Sequence, residues 1–79
     1  MHFNDIQVGQ AFWMDISYHD HIAVKLNDNC EGNAIVIRAG NYVNRNSTPV
    51  GTLMNFAPVE GYQLVDIKFF VSNCTQKEI

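Results

Sequence analysis

The densest group of side chains able to do chemistry is Asp15, His19, Asp20 and His21. On a strand beginning at His19 the two imidazoles would share one face, and a divalent metal is what such a pair suggests. A closed site needs a fourth ligand and neighbours that orient the rings, and neither cysteine is tied to this group by its spacing. The group reads as the polar tip of a hairpin, with no metal and no cofactor expected. Asn27, Asn29, Glu31 and Gly32 imitate the opening of a calcium loop, with oxygen side chains at positions one, three and five and glycine at six. Position twelve should be a bidentate glutamate and is Arg38, so the motif fails, and an Asx-rich turn accounts for the same residues. Cys30, Cys74, Ser17, Ser47 and Ser72 could each act as a nucleophile beside a histidine, but none stands in a recognisable catalytic context. The five glycines are scattered and form no phosphate-binding loop. No catalytic residue is assigned, and the chain is not expected to be an enzyme.

Composition narrows the alternatives further. Seventy-nine residues make a single domain, 1–79. With 47% hydrophobic and 16% charged residues the chain has the makings of a core, which excludes a disordered charged tail. Five Lys and Arg against eight Asp and Glu give a net charge of -3, so no cationic field exists to hold a phosphate backbone, and nucleic-acid binding is disfavoured. The first twenty residues carry no Lys or Arg and no apolar run approaches a membrane span, so the expectation is a cytoplasmic protein of a bacterial host cell with no membrane partner. Cys30 and Cys74 lack metal or redox spacing and read as two free thiols. A bridge is the other outcome, should neighbouring strands bring them together.

These residues must be positioned by short strands. Phe3, Ile6 and Val8 surround a turn that closes on Gly9, expected in a left-handed or tight-turn conformation. Residues 11–16 alternate, with Phe12, Met14 and Ile16 on one face and Ala11, Trp13 and Asp15 on a wetter one. Residues 21–26 put Ile22, Val24 and Leu26 opposite His21, Ala23 and Lys25, completing a hairpin. After the Asn27–Gly32 turn, 33–38 form a third strand, 39–51 a long exposed loop, and 52–56 a short fourth strand with Met54 and Phe56 inward, or Leu53 with them on a bulge, stopped by Pro58. The longest strand, 62–71, places Val65, Ile67, Phe69 and Val71 on one face and Asp66 and Lys68 on the other. No window shows a clean helical period. The fold class expected is all-β, a small barrel of about five antiparallel strands with at most one short helical turn, because closure removes the adhesive edge of residues 67–71. An edge left open should lead to dimerisation.

Phe3-x-Asp5-Ile6-x-Val8-Gly9-x-x-Phe12, Tyr18 with Lys25, Gly32-Asn33-Ala34-Ile35 before Gly40, and Phe56-x-Pro58-Val59 together resemble small SH3-like β-barrel proteins of unknown function, encoded by bacteriophages and bacterial mobile elements. The resemblance reaches to about Val65. It implies an SH3-like barrel and a phage or mobile-element setting, and no activity. The loop from Asn41 to Gly51 and the hydrophobic stretch after Asp66 depart from it.

Exposed aromatics anchor interfaces at low entropic cost, which draws attention to Trp13, Tyr18, Tyr42, Tyr62 and Phe70, with Trp13 leaning to the core. The expected function is a non-enzymatic protein-binding module, a phage accessory or counter-defence protein of the anti-CRISPR kind that binds and inhibits a host or defence-system protein. Tyr42 and Arg45 on the long loop, or the open edge of the last strand, would dock the partner, while Asp15, Asp20, Asp28 and Glu31 steer toward its basic surface. One alternative is a self-assembling or virion-associated barrel, a homodimer held through Ile67, Phe69 and Phe70. Another is a barrel that stacks single-stranded nucleic acid on its aromatics.

Overall fold

The computed structural model describes residues 1–14, 20–27, 30–40 and 48–71. The described chain is mainly β, five antiparallel strands in one sheet preceded by a 3-10 turn at Phe3–Asp5. The strands are β1 (Gln10–Trp13), β2 (Ile22–Lys25), β3 (Ala34–Arg38), β4 (Leu53–Met54) and β5 (Leu64–Lys68), in the order β4-β3-β2-β1-β5. The first four follow one another as a meander, and the chain then returns to lay β5 beside β1. At the entrance, the His2 ring Nδ1 accepts from the Asn4 N–H at 3.1 Å and so caps the 3-10 turn. Gly9 turns the chain into β1 with φ 91°, the left-handed conformation expected of it.

Alternation along the strands divides the buried side chains between two faces. On the first, Phe3, Ile6, Phe12, Ala23, Ala34 and Tyr62 form a core against which Met14 and Phe56 pack. Phe3, Phe12, Phe56 and Tyr62 meet mostly edge to face, Phe12 lying 5.4 Å from Phe56 and Phe3 5.5 Å from Tyr62. Ala23 and Ala34 are fully buried, and their small side chains leave these rings room against the sheet. The Lys25 ammonium donates to the Phe3 carbonyl at 3.0 Å and lies 4.8 Å from that ring's centre, fastening the 3-10 turn to β2. At the far edge, Asn33 does the work of a strand residue with its side chain. Its Oδ1 accepts from the Phe56 N–H at 2.8 Å and its Nδ2 donates to the Phe56 carbonyl at 3.0 Å, which turns Phe56 inward beyond β4.

The second face carries Ala11, Ile22 and Val24, with Trp13, Ile35, Ile37, Val65 and Val71 packed on them. The side of β1 shared by Ala11 and Trp13 was expected to be the wetter one; instead it supports this second cluster, since a strand inside the sheet is covered on both sides. His21 is another correction. Expected at a polar hairpin tip, it is buried, because the β1–β2 pairing continues past Ile22 with the Met14 N–H donating to the His21 carbonyl at 2.9 Å. Tyr62, named as an exposed aromatic, lies in the first core. Cys30 is disulfide-bonded rather than a free thiol. Cys74, the chain's other cysteine, lies outside the described residues, as does His19. No helix among the described residues is long and apolar enough to cross a membrane.

Candidate functional site

Among the described residues the sheet ends on β5, whose one strand neighbour there is β1. Leu64, Ile67 and Phe69 are each a little under half exposed, and Phe70 is 95% exposed. These are the residues expected to self-associate, Ile67, Phe69 and Phe70, with Leu64 added. Val65 and Val71 pack on the second cluster, whereas Ile67 and Phe69 stay open, so the expected single buried face of residues 62–71 is interrupted. The interruption has a local cause. Phe12 faces Leu64 and Gln10 faces Lys68, so the single residue Ala11 opposes three residues of β5.

Gln10 repairs this gap with its side chain. Its Nε2 donates to the Val65 carbonyl at 2.6 Å and to the Ile67 carbonyl at 3.4 Å, taking the place of main-chain donors that β1 does not supply. Beyond the gap the Phe69 N–H donates to the Gly9 carbonyl at 2.7 Å, and before it the Trp13 N–H donates to the Gln63 carbonyl at 2.9 Å. A Cβ on Gly9 would run into the Phe69 carbonyl, so glycine is required there for contact as well as for φ. Main-chain groups of Gln63, Val65, Ile67 and Phe69 thus all point toward β1. By the two-residue period of a strand, those of Leu64, Asp66 and Lys68 point outward. The Lys68 ammonium donates to Gln7 Oε1 at 2.7 Å on the surface.

Tyr42 and Arg45 lie outside the described residues, but the two ends of their segment converge on one ring. His21 Nε2 accepts from the Thr48 N–H at 3.0 Å, and a Cβ on Gly40 would collide with the ring's Cε1. Of the acidic residues, Asp15 and Asp28 are also outside the described residues, while Asp20 precedes β2 and Glu31 follows it. Asp20 and Glu31 therefore sit at opposite ends of β2. Among the described residues no three His, Cys, Asp or Glu are grouped to hold a metal ion, and no cavity is enclosed. Burial raises the Tyr62 phenol above its ordinary pKa, and its hydroxyl donates to the Ala57 carbonyl at 3.2 Å.

Sequence reasoning missed Gln10 as the support of the edge, and His21 as the anchor of the loop ends. A glutamine opening a strand gives no sign that it will bond across a sheet, and a buried histidine resembles a surface one in sequence. Compared with known proteins, the chain matches no family, no curated protein and no solved structure.

Proposed function

We propose that the chain is a non-enzymatic protein-binding module whose docking surface is the outer edge of β5 with its apolar flank. The observation that carries this reading is an edge strand that keeps Leu64, Ile67, Phe69 and Phe70 open to solvent while outward main-chain groups stand ready to pair. Here the side chain of Gln10 supports the strand from its inner side and leaves the outer side accessible. A photo-cross-linking phenylalanine analogue at Phe70, activated in bacterial cells, should give a discrete protein adduct. The same analogue at Val50, 62% exposed near the opposite edge of the sheet, should give none. Equal yields from both positions, or no adduct from Phe70, would remove the reading.

A second reading is favoured by the His21 contacts, which fix both ends of the segment that carries Tyr42 and Arg45. Anchored ends lower the entropy lost when a loop is ordered on a partner. That reading is the inhibitor of a host or defence complex. It is tested by a Tyr42→Ala, Arg45→Ala double variant, which should lose a stoichiometric partner that the unaltered chain retains.

A further inference from the structure

Resting on the protein-binding reading of β5, we infer that the occupant of this edge is β5 of a second copy, paired antiparallel about a two-fold axis through Ile67. Main-chain phase limits the possible registers, and side-chain charge selects among them. Because Leu64, Asp66 and Lys68 direct their N–H and C=O groups outward, they must form the hydrogen-bonded pairs of any new ladder, while Val65, Ile67 and Phe69 fall at the non-hydrogen-bonded positions. Two-fold pairing is then permitted only about an axis through a residue. An axis midway between two residues would oppose an outward group to an inward one.

Among the permitted axes, one through Asp66 sets that carboxylate against its own copy, and one through Lys68 does the same with two ammonium groups. The axis through Ile67 places Asp66 opposite Lys68 of the second copy, and Lys68 opposite its Asp66. Val65 then faces Phe69, and Leu64 faces Phe70, so every charged position meets its opposite and every apolar one an apolar partner. Among the described residues the one ion pair joins the Met1 ammonium to Glu60 at 3.7 Å, so Asp66 enters none there. Phe70, 95% exposed in the single chain, is covered in this pairing by Leu64 of the other copy. Two five-stranded sheets become one continuous sheet, and neither copy retains an open β5 edge.

Sedimentation equilibrium across a wide concentration range tests the inference. The unaltered chain should rise from 9.0 kDa toward twice that mass. Asp66→Lys and Lys68→Asp, each setting like charges opposite one another, should each weaken association about tenfold, roughly 1.4 kcal/mol. The double variant Asp66→Lys, Lys68→Asp should recover it. Since these residues are exposed and the Lys68 bond to Gln7 lies on the surface, circular dichroism should show an unaltered fold in all three. An independent measurement uses Ile67→Cys, whose oxidation should join two chains through position 67, because directly opposed non-hydrogen-bonded residues lie close enough for a disulfide. A chain monomeric at every concentration, single reversals that associate as before, or a double variant that fails to recover would each overturn the two-fold pairing. A monomeric chain whose Phe70 position still cross-links to another protein overturns the second copy alone, whereas a monomer without any adduct overturns the protein-binding reading too.

Discussion

His21 shows how far a single residue can depart from its apparent place. Its Nε2 accepts the Thr48 N–H, a role that no carbon ring can fill. His21→Phe keeps most of the ring volume yet strands that N–H, and urea denaturation should show a loss of about 1–3 kcal/mol. Tyr62 carries the clearest pH dependence. Its phenol is neutral when protonated and burial raises its pKa, so the unfolded chain ionises first, near the ordinary value of about 10. The stability tied to the neutral phenol is complete below that pH and is lost as pH rises through the folded value. Thermal unfolding should therefore become easier above about pH 10, and less steeply so in Tyr62→Phe. At neutral pH the same variant should cost about 1 kcal/mol for the bond to the Ala57 carbonyl.

At the scale of elements, β5 depends on two residues of the chain entering and opening β1. Gly9→Ala combines a φ of 91° with a collision against the Phe69 carbonyl, so the end of β5 should detach. Amide hydrogen exchange at Phe69 should accelerate more than exchange in β2 or β3, and equal acceleration everywhere would point to global unfolding instead. Gln10→Leu leaves the Val65 carbonyl without its 2.6 Å donor and should cost about 1–3 kcal/mol. All five strands were legible from alternation and turn residues, as were the faces of Phe12, Met54 and Phe56 and the positive φ of Gly9. The irregular pairing of β1 with β5 was not, since a period-two pattern records which side chains share a face and says nothing of how many residues oppose one another. Burial of Tyr62 was equally hidden, because it follows from packing with Phe3 at the other end of the chain. Exposure of Ile67 and Phe69 came from that same interrupted pairing. The edge itself could be anticipated as a hydrophobic strand in need of cover, but the choice of register required knowing which main-chain groups point outward.

For the molecule as a whole, a small domain has little burial in excess of its conformational entropy, and a cross-link is one way to compensate. The disulfide at Cys30 should contribute about 2–4 kcal/mol, measured as the difference in urea midpoint between the unaltered chain and Cys30→Ser. Reducing agent should bring the unaltered chain down to the variant, and a midpoint insensitive to reduction would refute that contribution.

The aromatic core joins residues distant in synthesis. Phe3 is made well before its partners Phe56 and Tyr62, which follow more than fifty positions later, and the Phe3 N–H awaits the Val59 carbonyl, 3.0 Å away. The hairpins of β1, β2 and β3 can form while translation continues, but they remain without a closed hydrophobic centre until Tyr62 has left the ribosome. Closure of this core thus waits for Tyr62, and a ribosome stalled before Tyr62 should hold a nascent chain that proteases cut readily.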